Sequence, residues 1–156
     1  MKTVCFFGHR SVADVEKTAK AVETITENLI ANESVLTFLF GSKSKFNEIC
    51  YDVVTKKMKI HPHIRRVFVR AEFKDINEEY TEYLLSRYEE TYYTPNAEKS
   101  GRAVYVKRNF EMIDKSDFCV VYFDKDYSPE KRKSGTKIAY DYAEKKKKNI
   151  INVFEQ

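Results

Sequence analysis

Glycine and proline are scarce in this sequence, and long apolar runs are absent. Only 4 glycines and 3 prolines occur in 156 residues, which excludes collagen-like, low-complexity and disordered classes. No apolar run approaches the roughly 20 residues that a membrane-spanning helix needs, and the apolar stretch after Met1 is too short for a secretory signal. We therefore expect one globular domain over residues 1–156, located in the cytoplasm and without a membrane partner.

Cysteine is also scarce, and no metal-binding motif is present. Cys5, Cys50 and Cys119 are far apart and each lies within an apolar pattern, which predicts buried thiols in a reducing compartment. His61 and His63 flank a proline, but no third ligand is close in the sequence, so we interpret this segment as a solvated turn. We therefore expect no metal and no other cofactor.

The net charge of +4 is too mild to indicate nucleic acid, yet the charges are unevenly distributed. Residues 43–70 carry eight basic and two acidic side chains, whereas residues 72–90 carry seven acidic and two basic ones. Such blocks are typical of solvated helix faces. Because the blocks are complementary and a tyrosine stripe (Tyr80, Tyr83, Tyr88) accompanies them, we also expect a homodimer.

Apolar runs of strand type alternate with segments of helical spacing along the chain. The strand-type runs, rich in β-branched and aromatic residues, are 3–7, 35–40, 66–71, 118–123 and 150–153. Between them, apolar residues recur at spacings of three and four, as in amphipathic helices. This alternation predicts an α/β fold, a Rossmann-like three-layer sandwich with a parallel sheet of about five strands and helices on both faces. Residues 91–102 lose all periodicity and are predicted to form a mobile surface loop.

Glycines and polar residues follow the predicted strands, where such folds bind ligands. The crevice is expected between the strands that end at Phe7 and Phe123, because strand order reverses there. The residues expected to line it are Gly8, His9, Arg10, Gly41, Ser42, Ser134, Gly135 and Thr136. Single glycines beside hydroxyl or basic residues suit phosphate and ribose recognition. The Ser-Gly-Thr segment opens a predicted helix, whose N-terminus favours an anion, although serine there is also an ordinary N-cap.

The two common nucleotide fingerprints are missing. No G-x-G-x-x-G follows the first predicted strand, and no G-x-x-x-x-G-K-[ST] occurs anywhere. We therefore exclude the ordinary dehydrogenases and the P-loop ATPases as functional classes for this sequence.

Four short motifs nevertheless occur in a specific order: Gly8-His9-Arg10, Gly41-Ser42, Arg108-Asn109-x-x-Met112 and Ser134-Gly135-Thr136. In this order they resemble the SLOG superfamily, particularly its YpsA-like branch of small bacterial proteins. Relatives there include the lonely-guy phosphoribohydrolases, molybdenum-cofactor carrier proteins and DprA. The resemblance implies a Rossmann-like domain that binds a nucleotide or a nucleotide-derived ligand, for example an NAD- or ADP-ribose-like molecule, and it adds Arg108 and Asn109 to the expected ligand-binding residues.

The sequence departs from the phosphoribohydrolase branch at the chemistry-bearing positions. That branch has a Pro-Gly-Gly segment, here replaced by the charged residues 125–133, and glutamates at the second and third positions after the motif threonine, here Ile138 and Ala139. Without a carboxylate for glycosidic cleavage, we expect a binding or sensing role with no catalytic residue. Asp124 is the first candidate if the chain is instead an N-glycosidase or transferase; otherwise it caps a loop or binds a ribose hydroxyl. DprA-like nucleic-acid binding through residues 43–70 is a third, less favoured class.

Overall fold

A computed structural model of the chain describes residues 1–95, 97, 101–127 and 134–156, in which strands and helices alternate. The strands are β1 (Lys2–Gly8), β2 (Val35–Phe40), β3 (Arg65–Arg70), β4 (Glu90–Tyr93), β5 (Phe118–Tyr122) and β6 (Asn149–Asn152). The helices are α1 (Val15–Glu33), α2 (Lys45–Lys57), α3 (Glu78–Arg87), α4 (Val104–Lys115) and α5 (Gly135–Lys145). Short 3-10 turns occupy Gly101–Ala103 and Val153–Glu155.

The described strands form one parallel sheet in the order β4-β3-β2-β1-β5-β6. The chain starts at β1 and moves outward to β4, then crosses to the other side of β1 and continues through β5 to β6. Strand order therefore reverses between β1 and β5, where Gly8 pairs with Tyr122. Because parallel crossovers are right-handed, the helices of the two halves must cover opposite faces.

The core consists of two apolar layers, one on each face of the sheet. Alternate strand residues such as Phe6 and Phe38 pack beneath α1, α2 and α3, while their neighbours, such as Cys5 and Leu39, pack beneath α4 and α5. Continuous apolar strands are explained by this burial on both faces. The predicted α/β three-layer sandwich is confirmed, and the three cysteines are buried free thiols as expected.

The prediction of a loop over residues 91–102 is wrong at its beginning, and the sheet has six strands rather than about five. Residues Glu90–Tyr93 form the edge strand β4, which pairs with β3. The hydroxyl of Thr91 also donates to the carbonyl of Phe68 at 2.9 Å. An edge strand buries little apolar surface, so it lacks the pattern that marks the other strands. Residues 96 and 98–100 of the predicted loop lie outside the described part of the chain.

The two charge blocks pair with each other within the chain. Arg66 donates to both carboxylate oxygens of Glu89, at 3.1 and 2.7 Å, and Arg65 lies 3.5 Å from a carboxylate oxygen of Glu90. In the tyrosine stripe, Tyr88 is buried in the core. Part of the complementary surface assigned to a dimer is thus used inside the monomer, and the homodimer stays a prediction. Among the described helices, none combines the length and apolar character needed to cross a membrane.

Candidate functional site

A cleft of about 1200 Å³ runs along the carboxyl ends of β1, β2, β3 and β5. All eleven residues predicted to bind a ligand line it: Gly8, His9, Arg10, Gly41, Ser42, Arg108, Asn109, Asp124, Ser134, Gly135 and Thr136. The sheet brings them together because parallel strands end at the same edge. Their role in ligand binding stays a prediction, but their meeting in one cleft is a property of the fold.

His9 joins the ends of β1 and β5 at the centre of the cleft. Its side chain is buried, and its Nε2 accepts a hydrogen bond from the backbone N–H of Asp124 at 3.0 Å. Burial lowers the pKa of His9 from its ordinary value, and the nearby carboxylate of Asp124 offsets this only in part. An accepting Nε2 places the proton of the neutral ring on Nδ1. His9 is therefore a neutral side chain that holds the two central strands in place.

Asp124 lines the cleft but is partly engaged by its own loop. Its Oδ1 accepts the backbone N–H of Asp126 at 2.9 Å, and its carbonyl accepts the N–H of Tyr127 at 3.1 Å. This is the loop-capping arrangement that short aspartate side chains favour. Within the described part of the chain no hydrogen bond reaches the other carboxylate oxygen, Oδ2, so a ligand hydroxyl could donate to it.

Gly8 leaves no room for a side chain, because protein atoms surround it. A Cβ at Gly8 would lie 2.7 Å from Cδ2 of Phe46 and 2.9 Å from Cβ of Tyr122. The neighbouring loops are also joined to each other, since the N–H of Lys45 donates to the carbonyl of Arg10 at 2.9 Å. The β1 end of the cleft is thus preformed, and the absence of a side chain at Gly8 is explained by packing.

Arg108 is the most unusual group in the cleft. Its side chain is only 8% exposed, yet no carboxylate of the described residues lies within ion-pair distance of it. Nη1 donates to the carbonyl of Gly41 at 2.6 Å, and the contacts of Nε and Nη2 with Oδ1 of Asn109 are long, at 3.4 Å. Burial lowers the pKa of Arg108 to about 10, with Tyr105 and Glu72 opposing the shift. The guanidinium is therefore a buried cation with donor capacity to spare.

Several lining residues escaped prediction from the sequence, and two of them, Glu72 and Tyr105, act on Arg108. Arg70 and Glu72 lie at and just after the end of β3, and Nε of Arg70 is buried without a hydrogen-bond partner among the described residues. Tyr105, one helical turn before Arg108, donates its hydroxyl to Oε1 of Glu72 at 2.7 Å. This bond raises the pKa of Tyr105. The rule that selected the ends of the other strands would have found Arg70 and Glu72.

The start of α5 has space around it among the described residues. Ser134 is its N-cap, and its Oγ accepts the N–H of Lys137 at 3.0 Å, which is the ordinary capping role. A Cβ built on Gly135 meets no atom within 4 Å among the described residues. The first N–H groups of a helix have no carbonyl acceptor within the helix, so those of α5 are placed to bind an anion. The adjacent residues 128–133, most of the segment that replaces Pro-Gly-Gly, lie outside the described chain.

Exposed aromatic rings line the cleft at two places. Phe73 and Tyr105 are 58% and 43% exposed near the end of β3, and Tyr127 is 50% exposed beside His9, with ring centroids 4.5 Å apart. Flat apolar surfaces of this kind suit a planar ring of a ligand.

Positive charge exceeds negative charge around the cleft. In the described lining, the cations are Arg10, Lys43, Arg70 and Arg108, and the carboxylates are Glu72 and Asp124. Such a balance favours an anionic ligand that also carries hydroxyl or amide donors.

Elsewhere, Nε2 of His61 bonds to Glu27 at 3.0 Å, and within the described chain no three His, Cys, Asp or Glu side chains are arranged to hold a metal ion.

No protein-family model matches the sequence, and no curated protein matches it. The SLOG-like motifs therefore rest on the residues themselves and on their positions around the cleft.

Proposed function

We propose that this protein binds a nucleotide or a nucleotide-derived ligand in the cleft, as a SLOG-like, YpsA-like binding or sensing domain. The observation that carries the proposal is Arg108, a residue only 8% exposed to solvent whose cation has no carboxylate partner among the described residues. An uncompensated buried charge is costly. A ligand that supplies acceptor atoms or negative charge would compensate it.

The start of α5 supplies the second half of the proposed site. A phosphate there would accept from the free N–H groups of the first turn and lie at the positive end of the helix dipole. Gly135 leaves room for that approach, because nothing described lies within 4 Å of its Cβ position. Thr136 and the exposed Arg10 line the same cleft. Asp124 would accept a ribose hydroxyl through Oδ2.

Binding is favoured over catalysis because the second and third positions after Thr136 carry no acid or base. Ile138 and Ala139 cannot move a proton, and Asp141 forms an ion pair with Lys137 at 3.2 Å. The enzymatic alternative, an N-glycosidase or phosphoribohydrolase, would depend on Asp124. We expect no turnover of nucleoside monophosphates above a buffer blank; turnover lost in Asp124→Asn and retained in Asp141→Asn would favour the enzyme instead.

The proposal is tested by calorimetric titration of the chain with AMP, ATP, GMP, GTP, NAD and ADP-ribose. At least one of these should bind saturably. Arg108→Lys, which keeps the charge but loses the planar fork, and Gly135→Val, which fills the space at the start of α5, should each weaken that binding about tenfold or more.

A matched control is Arg65→Lys. Arg65 is an exposed arginine at the amino end of β3, whereas the cleft lies at the carboxyl ends of the strands. Its affinity should equal that of the wild type. Failure of every ligand to bind, or equal affinity in all three variants, would contradict the proposed function. Salt-dependent binding of DNA, lost on neutralising residues 43–70, would favour the nucleic-acid alternative.

A further inference from the structure

We infer that the ligand carries a 6-oxopurine base, guanine above all, recognised by Arg108 and Glu72 at the β2 and β3 end of the cleft. This inference rests on the proposed function and deepens it by naming the base. It assigns roles to Glu72 and Tyr105, which the sequence motifs do not include.

The first argument comes from the donors of Arg108. A guanidinium has five N–H donors and no acceptor, and only the contact of Nη1 with Gly41 is short, at 2.6 Å. A base facing the remaining donors must present acceptors alone. The N7 and O6 edge of guanine does so, whereas adenine presents an N6 amino donor beside its N7. A buried site cannot leave opposed donors unpaired without a large loss of affinity.

The second argument comes from Glu72, whose carboxylate has acceptors only. Its Oε1 receives the hydroxyl of Tyr105 at 2.7 Å, and its Oε2 has no partner in the described part of the chain. The N1–H and N2 amino groups of guanine, next to O6, would donate to this carboxylate. A phosphate, in contrast, would be repelled by the carboxylate that acts on Arg108. Arg108 and Glu72 together therefore complement guanine better than a phosphate.

The third argument comes from the aromatic rings beside these two groups. The guanidinium carbon of Arg108 lies 5.6 Å from the ring centroid of Tyr105, and the hydrogen bond to Glu72 fixes that ring. Tyr105 and Phe73 are 43% and 58% exposed. Aromatic faces of this kind stack on bases and so favour their binding. The polar groups that select the base thus lie next to a surface on which it can stack.

The spacing along the sheet edge fits the same arrangement. The end of β2 and the end of β5 are separated by β1, which is two strand spacings or about 10 Å. This is about the length of a nucleoside monophosphate from phosphate to base. With the phosphate at the start of α5 and the ribose near Asp124, the base reaches Gly41 and Arg108. A single nucleotide therefore spans the distance from the end of β5 to the end of β2.

The test compares bases at equal phosphate number by calorimetry on the full chain. GMP should bind about tenfold or more tightly than AMP, and GTP than ATP, because a good paired contact discriminates bases by this amount. IMP, which lacks the N2 amino group, should lie between GMP and AMP. Glu72→Gln should remove most of the preference for GMP over IMP.

The matched control for Glu72→Gln is Glu82→Gln, an exposed glutamate on α3 outside the cleft lining. It should retain the full preference for guanine. Equal or tighter binding of AMP would overturn the base assignment while leaving the proposed nucleotide site standing. Absence of binding for all of these nucleotides would overturn both. A preference for GMP that Glu72→Gln does not change would overturn the role of Glu72.

Discussion

Replacing Gly41 with alanine tests the close packing of Arg108 against Gly41. The added Cβ would lie 2.7 Å from Cδ and 2.8 Å from Nε of Arg108, and 2.9 Å from Sδ of Met112. Both side chains are buried, so neither can swing into solvent. Overpacking of this kind costs typically about 1–3 kcal/mol. The arginine also cannot retreat without lengthening its 2.6 Å hydrogen bond to the Gly41 carbonyl, so we expect a loss near the upper end of that range.

The assay is urea unfolding followed by circular dichroism, in which the midpoint should fall while the slope stays unchanged. Gly135→Ala is the matched control, because its Cβ meets no described atom within 4 Å. Alanine at the start of α5 should raise the free energy of unfolding slightly, by at most about 1 kcal/mol. The contrast between two glycines of the same cleft removes general effects of glycine replacement.

A double-mutant cycle identifies Arg108 as the source of the penalty. In an Arg108→Ala background the closest contacts disappear, so Gly41→Ala should cost at least about 1 kcal/mol less than it does in the wild type. A stability of Gly41→Ala equal to that of the wild type would refute the reasoning. So would a penalty that is the same in both backgrounds.

Three further predictions concern His9, Arg108 and the oligomeric state. Because burial lowers the pKa of His9 below 6.5, the unfolded chain binds a proton before the folded chain as the pH falls. The free energy of unfolding, measured with urea, should therefore decrease below about pH 6.5 in the wild type and decrease less steeply with pH in His9→Gln. The same dependence of the free energy of unfolding on pH in both proteins would contradict this prediction. Since burial lowers the pKa of Arg108 to about 10, its charge is unfavourable in the ligand-free fold at every lower pH. Arg108→Met should raise the free energy of unfolding on the order of 1 kcal/mol in urea titrations while abolishing ligand binding; a less stable variant would mean that the arginine is structural. Light scattering at micromolar concentration should give a dimeric mass, and a monomeric mass would contradict the homodimer.

The fold follows closely from the sequence because burial on both faces leaves a strong signal in the central strands. Runs such as Phe38-Leu39-Phe40 are apolar throughout, since alternate residues enter different core layers. The edge strand Glu90–Tyr93 gave no such signal, because none of its four residues is fully buried. Strand prediction from apolar runs therefore works where a strand is buried, as in the other edge strand β6, and fails for the half-exposed β4.

The candidate site was predictable where it depends on chain topology and less so where it depends on side-chain contacts. His9, Gly41 and Gly135 could be placed at one sheet edge from strand order alone. Sequence spacing could not reveal that Glu72 accepts a hydrogen bond from Tyr105, because the two residues are brought together only by the packing of α4 against the sheet. Nor could it distinguish Gly8, which is confined by Phe46, from Gly135, which faces open space.

The most direct test of the nucleotide site is a crystal structure of the chain grown with GMP. We predict electron density for one nucleotide in the cleft, with its phosphate on the first N–H groups of α5 and its base hydrogen-bonded to Arg108 and Glu72. Density that places the phosphate on Arg108 would support the cleft as the nucleotide site but would show the nucleotide bound in the opposite orientation. An empty cleft at millimolar GMP, and likewise with the other nucleotides and ADP-ribose, would contradict the account.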